Sequence, residues 1–300
     1  MNVLLAGASG MIGRAVRSAL DADGHAVRVL RRGTAGPDTW DPDLGRLPAE
    51  AIEWADAVIS LNGASLTKLP WTRAYRDLIL SSRVDSTRLI ADAIARADSP
   101  PTTWVSASAV GVYGDRPGET LTEDSPRGQG FLADVVTAWE AAADAARDAT
   151  RVVLARTGVV LGPEGALTPL ARLARIGLGG PLGGGRQHWP WIGLDDEARA
   201  IVHLATASAL AGPVNLVAPT PATASNVTRA VAAALHRPHV MPAPAWALRL
   251  ALGDAARDLL FADQRVSPAR LLAEGTFVFA HPGLDDAVRE ALRATPARPH

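Results

Sequence analysis

Cysteine is missing from all 300 residues, which excludes disulfides, thiolate nucleophiles and cysteine-ligated metals together. Lysine is nearly missing too: Lys68 stands alone among 30 basic residues. Tyrosine occurs twice, as Tyr75 and Tyr113. Chemistry that pairs a lysine with a tyrosine therefore has very few ways to be assembled here. Net charge is also lacking. The 31 acidic residues leave a formal −1, so the basic footprint of a general nucleic-acid binder is absent. No run of like charge is long enough for an interaction tail. The opening MNVLLAGASG has no basic leader and turns to glycine too early for a membrane span, so a cytoplasmic protein with no membrane partner is expected. Apolar residues, by contrast, are plentiful: 48% against 20% charged marks a folded chain with a large core.

Strand-like and helix-like stretches alternate through the first two-thirds. Asn2–Ala6, 25–30, 56–61, 102–106, 151–161 and 214–217 read as strands, with helical spacing over Met11–Ala22, 72–96 and 131–147 between them. Long helical patterns between strands imply βαβ crossovers and a mostly parallel sheet covered on both faces. From Gly177 to Gly193 the chain changes character, with seven of the 27 glycines and two of the eight tryptophans in one loop region. A helix is expected from the Asp195–Asp196 pair, read as acids suited to a helix start. Beyond Pro219 the chain is helical and broken by prolines. The expected division is residues 1–218, with an insertion at about 163–195, and a smaller, mostly helical lobe over 219–300.

Between the first strand and the first helix runs Gly7-Ala8-Ser9-Gly10-Met11-Ile12-Gly13. Three glycines so spaced arise by chance roughly 0.2 times in a chain this rich in glycine, so position matters more than pattern. At the head of an amphipathic helix, Gly7 permits the turn, Gly10 admits a pyrophosphate and Gly13 lets the helix pack close. The helix N-terminus adds free N–H groups for phosphate. An ordinary tight turn is the alternative. The second strand ends in Arg31-Arg32 where an acid would select NAD; two arginines and no acid suit the 2′-phosphate of NADP(H). Two surface arginines without a ligand is the bland reading. Elsewhere, Pro238 breaks the helix on which His236 and His239 would have to pair, so no metal site is expected. No Gly-x-Ser-x-Gly elbow anchors a hydrolase.

The glycine spacing resembles that of extended short-chain dehydrogenase/reductases, a Rossmann-like doubly wound α/β fold. Further segments narrow the likeness: Trp40-Asp41-Pro42, Ser81-Ser82-Arg83-Val84, Ser106 to Gly114, Trp139-Glu140, Arg156 to Gly162, Gly179 to Gly183, Pro190-Trp191-Ile192, Asn215 to Pro219 and Gln264-Arg265-Val266. Together they resemble an atypical subgroup, the epimerase-family or sugar-nucleotide-epimerase-like proteins, which carry a small C-terminal domain of unknown function. Two departures from it stand out. Ser60-Leu61-Asn62-Gly63 replaces the usual Asn-Leu-Ala-Gly, and Gly193-Leu194-Asp195-Asp196 replaces His-Ile-Asp-Asp, removing an imidazole. The proton-handling Tyr-xxx-Lys pair of typical members would fall at Leu132 and Val136, which cannot ionise.

The resemblance implies cofactor contacts at Gly7, Ser9, Gly10, Met11, Ile12, Gly13, Arg31, Arg32, Leu61, Asn62, Arg83 and Ser106. It leaves Ser108 and Tyr113 as candidate catalytic groups. Packing of Tyr113 against its loop and a surface salt bridge for Arg83 stay open beside these. Trp189 and Trp191 either line a substrate wall or pack between lobes. Two functions follow: an NADP(H)-dependent oxidoreductase or epimerase-like enzyme on an unidentified small molecule, or a non-catalytic NADP(H)-binding regulator, for example linked to cell division, with a protein partner or a second copy as its target.

Overall fold

A computed structural model describes residues 1–33, 36 and 38–293. Along the described chain run β1 (Asn2–Ala6), α1 (Met11–Ala22), β2 (Ala26–Arg32), β3 (Thr39–Trp40), α2 (Ala49–Glu53), β4 (Ala57–Ser60), α3 (Arg73–Arg96), β5 (Thr103–Ala109), β6 (Thr120–Leu121), α4 (Phe131–Ala141) and β7 (Arg151–Thr157). Then come β8 (Val159–Leu161), α5 (Leu167–Arg175), β9 (His188–Trp189), β10 (Trp191–Gly193), α6 (Leu194–Thr206), β11 (Gly212–Leu216), β12 (Ala222–Thr223), α7 (Ala224–Ala234), α8 (Ala245–Leu252), β13 (Arg265–Val266), α9 (Ala269–Glu274) and α10 (Leu284–Arg293).

Seven parallel strands form one sheet in the order β11-β7-β5-β4-β1-β2-β3. The alternation of side chains along each strand feeds two separate cores. Val3, Leu5, Val105 and Val153 pack under α1 and α6 with Val16, Leu20 and Ile201. Leu4, Val58, Trp104 and Val152 face the other way, onto Ile90 and Ile94 of α3 and the buried Trp40 and Ile52. The doubly wound fold expected from the pattern is therefore present.

Some boundaries differ from the expectation, each for a local reason. The strand expected over 151–161 breaks at Gly158, where a Cβ would stand 2.2 Å from the Pro190 carbonyl oxygen. The chain bends there so that β8 leaves the sheet and pairs with β10. The helix expected to reach residue 147 ends at Ala141, and a separate turn of 3₁₀ helix covers Asp144–Ala146. Helix α5 lies in the stretch expected as an insertion, and the two-residue strands are too short for periodicity to show in the sequence. A third core joins the glycine-rich stretch to the C-terminal part: Leu161, Leu167, Trp189 and Trp191 pack with Ala224, Val227, Val231 and Val288.

Candidate functional site

Strand order reverses between β1 and β4, so the loops leaving their C-terminal ends part there and open a crevice. Gly7 follows β1 with φ +88° and lies so close to the loop after β4 that a Cβ would stand 2.8 Å from the Leu61 carbonyl carbon. At Gly13 a Cβ would stand 2.2 Å from the Gly7 oxygen. Both glycines are thus demanded by the protein's own packing. Gly10 is different: the nearest atom to its Cβ position is 3.6 Å away. As N-cap of α1 it has no side chain capping the first turn, so the N–H groups and positive end of the helix face open space.

That space continues into a cleft of about 480 Å³. Gly7, Gly10, Met11, Ile12, Gly13, Leu61, Asn62, Arg83, Ser108 and Trp189, all expected from the sequence, line it. Arg83 lies flat against Gly63, with its guanidinium 5.2 Å from the Trp139 ring centre. It donates to the Ile79 carbonyl at 3.0 Å and has no carboxylate partner among the described residues. Burial pulls its pKa down to about 10, against a smaller opposing effect of Tyr75. Asn62 Oδ1 is buried without a hydrogen-bond partner. An unpaired cation, an orphaned acceptor and an uncrowded glycine in one cleft fit a polar, anionic ligand such as a dinucleotide.

The other expected residues lie elsewhere. Arg31 and Arg32 are exposed at the end of β2, at the same sheet edge as Gly7 but outside the lined part of the cleft. Ser9 is exposed and its carbonyl accepts from Arg14 at 2.6 Å. Ser106 is buried in β5 with an unpartnered hydroxyl and does not line the cleft. Tyr113 is withdrawn from it as well. Its ring is fully buried, its hydroxyl donates to Asn215 Oδ1 at 2.8 Å and accepts from Arg156 at 3.0 Å. Burial raises its pKa, outweighing the Arg156 charge, so the phenol stays protonated and occupied. Trp191 is also core, its indole N–H held by the Thr220 carbonyl at 3.0 Å; of the two tryptophans only Trp189 reaches the cleft.

Ser108 belongs to a buried network that the sequence reading missed. Its hydroxyl donates to Glu140 Oε1 at 2.5 Å. Glu140 is clamped through both oxygens by Arg156, each bond 2.8 Å long. Burial works against the Arg156 charge, but the hydrogen bond and charge of Glu140 outweigh it and raise the arginine pKa. The signal was a second acid in a largely apolar helical stretch and an arginine inside an apolar strand. Leu132 and Val136, where the resemblance would put the Tyr-xxx-Lys pair of typical members, line the same wall. The C-terminal part contributes Asp258, Leu259, Ala262 and Gln264. Burial raises the Asp258 carboxyl above its ordinary value, against a hydrogen bond from the Leu132 backbone. No group of three potential metal ligands occurs among the described residues.

Comparison with known proteins places this architecture. The model of the NAD dependent epimerase/dehydratase family matches residues 3–218. The chain belongs to this family. A domain of unknown function, DUF1731, matches residues 243–291. An epimerase family protein of Mycobacterium leprae is 39% identical over 99% of this chain and 96% of its own length. Among solved structures, the human epimerase family protein SDR39U1, crystallised with NADPH, superposes with a TM-score of 0.89 at 36% identity, covering 98% of this chain and 99% of that one. MoeE5, solved in complex with UDP-glucuronic acid and NAD, shares the fold at TM-score 0.75 and 21% identity, covering 98% of this chain and 99% of that one. The resemblance drawn from the motifs thus extends over the whole chain, as an atypical extended short-chain dehydrogenase/reductase with its C-terminal domain.

Proposed function

We propose that this protein is an NADP(H)-dependent oxidoreductase or epimerase-like enzyme acting on a small molecule, without a Tyr-xxx-Lys pair. The observation that carries this reading is the glycine cradle, crowded at Gly7 and Gly13 and open at Gly10, leading into one continuous cleft. The NADPH in the human relative supports the choice of cofactor.

The loop and α1 N-terminus hold the diphosphate, Arg31 and Arg32 meet the 2′-phosphate, and Arg83 adds a positive charge beside Asn62. Bound NADPH supplies hydride chemistry. Leu132, Val135, Val136 and Trp189 give the reacting molecule an apolar wall. Ser108 has spent its one proton on Glu140, so it offers lone pairs to the cleft and orients a substrate donor, not a carbonyl oxygen.

Calorimetry against NADPH and NADH tests the binding: NADPH is expected to bind more tightly, and Arg31→Asp with Arg32→Ala to reverse the preference. Equal binding of both by the unaltered protein would defeat the NADP(H) assignment. Loss of nicotinamide absorbance with one member of a panel of aldehydes, ketones, quinones and enones would establish turnover. The hydrocarbon at 132 and 136 and the occupied Tyr113 favour a second reading, a cofactor-dependent regulator. Tight NADPH binding with no turnover, and a partner retained only with cofactor, would establish that one.

A further inference from the structure

The wall of the cleft opposite Ser108 holds one carboxyl that none of these roles uses. Glu197, in the first turn of α6, lines the cleft and is fully buried. Its Oε1 accepts from the Thr157 hydroxyl at 2.7 Å, while its Oε2 is buried with no partner.

The elements packed around Glu197 bring it no charge; Glu274 of α9 meets α6 nearly two turns away, at His203. Around this site α1, β8 and β10 supply Met11, Ile12, Val160 and Ile192 to the core, and β4 and β5 carry no ionisable residue. Arg14 and Arg17 of α1 turn to Glu164 and Asp21. Arg151 and Arg156 of β7 turn to the Leu210 carbonyl and to Glu140. On α6 itself Asp196 accepts from the Ala280 and His281 backbone, and Arg199 lies near Asp195 and Asp196. Burial raises the Glu197 carboxyl to about 8, against the Thr157 hydrogen bond. At neutral pH the group is therefore mostly a neutral acid. With Thr157 on Oε1, its O–H points from an oxygen that nothing in the protein satisfies.

Sheet order says which part of a ligand would meet it. The diphosphate cradle follows β1, and Arg31 and Arg32 end β2 on one side. Strands β4, β5 and β7 lie on the other side, and Thr157 ends β7. A dinucleotide lying across the strand ends with its adenosine toward β2 extends its nicotinamide toward Thr157 and Glu197. We propose that Glu197 is a binding residue for the nicotinamide end, donating from Oε2 to the carboxamide oxygen. This rests on the NADP(H) reading and deepens it: the cleft recognises the ring end through one buried acid as well as the phosphates through the loop.

The test is calorimetry from pH 6 to 9.5 with two ligands, NADPH and 2′-phospho-ADP-ribose, which lacks the nicotinamide. The ratio of the two affinities cancels effects on the phosphates and on the adenosine. In the unaltered protein the ratio is expected to fall as pH rises through the region of 8, because the ionised carboxylate has no proton to donate. Glu197→Gln keeps an N–H donor and is expected to hold the ratio level with pH. Glu197→Ala is expected to lower it roughly three- to tenfold at neutral pH, the loss of one hydrogen bond. If the alanine variant fails to fold, the pH profile and the glutamine variant decide alone. Binding of both ligands with a ratio flat in pH and indifferent to residue 197 would overturn the proposal and leave the cofactor reading standing. Binding of neither ligand would overturn both.

Discussion

Gly10 and Gly13 stand three residues apart and answer different demands. Gly13 is required by the protein, since a Cβ there would stand 2.2 Å from a backbone oxygen. Gly13→Ala is expected to cost about 1–3 kcal/mol or more through overpacking, read from the denaturant midpoint. Gly10 is uncrowded by the protein, and in the proposed function its missing side chain makes room for the ligand. Gly10→Ala is expected to fold with stability within about 1 kcal/mol of the unaltered protein and to lose NADPH affinity by on the order of tenfold, seen by calorimetry. Similar losses of stability from both changes would contradict this division. Glu197 makes a prediction of another kind. Its folded pKa of about 8 stands above the ordinary 4.5. The proton is therefore bound more tightly in the folded chain, and the associated stability is intact below the ordinary value and lost as pH rises toward 8. Urea unfolding at pH 5 and pH 8.5 should show a loss for the unaltered protein that is smaller by a few kcal/mol in Glu197→Gln. An equal loss in both would show that the carboxyl is not buried as a neutral acid.

Elements meet at the cleft in a way that gives each wall its own chemistry. Because side chains alternate along β7, Arg156 turns to α4 and Thr157 to α6. Along β5, Ser108 shares the α4 face with Trp104, so its hydroxyl finds Glu140. The α4 wall carries a closed ion pair and the α6 wall a neutral acid. Breaking the pair from one side is expected to be expensive: Glu140→Ala leaves Arg156 charged and nearly out of water, a loss of about 3–5 kcal/mol. Chemical denaturation measures it directly. A loss below about 1 kcal/mol would mean that water or another acid replaces Glu140. Helix α6 itself was readable in outline, since Glu197, Ile201 and Leu204 recur on one buried stripe. The acids at its start were expected only to suit the helix dipole. Of the Asp195–Asp196 pair, Asp196 is instead buried and holds the Ala280 and His281 N–H groups, and the next acid, Glu197, is buried against Thr157.

Across the whole molecule, the C-terminal part is stitched to the loop that follows β5. Gln264 donates to the Val110 and Gly114 carbonyls, and Asn215 links Tyr113 to the Ser267 carbonyl. The same part supplies Asp258, Leu259 and Gln264 to the cleft, so the segment that closes over this loop also lines the site. Asp196 is another stitch, accepting from the Ala280 and His281 N–H groups at 2.6 and 2.9 Å. Asp196→Ala is expected to cost about 1–3 kcal/mol by leaving those donors unpaired. Amide exchange at 280 and 281 should quicken while exchange in β1 stays protected. Unchanged exchange at both amides would show that the segment is held by its other contacts.

The parallel sheet and the glycine cradle were legible in the sequence, because each depends on local residue type and short-range periodicity. That Leu132 and Val136 stand at the usual places of an ionisable pair was implied only by the family resemblance. β1, α1 and the start of α4 stand where the pattern put them. The partners of Ser108, Tyr113 and Glu197 were not legible. Glu140 is 32 residues from Ser108, Asn215 is 102 from Tyr113, and Thr157 is 40 from Glu197. Periodicity tells which face a side chain takes, but not which distant element is packed against that face. Only the closed fold decided that the tyrosine would be locked away and that a glutamic acid would hold its proton inside the cleft.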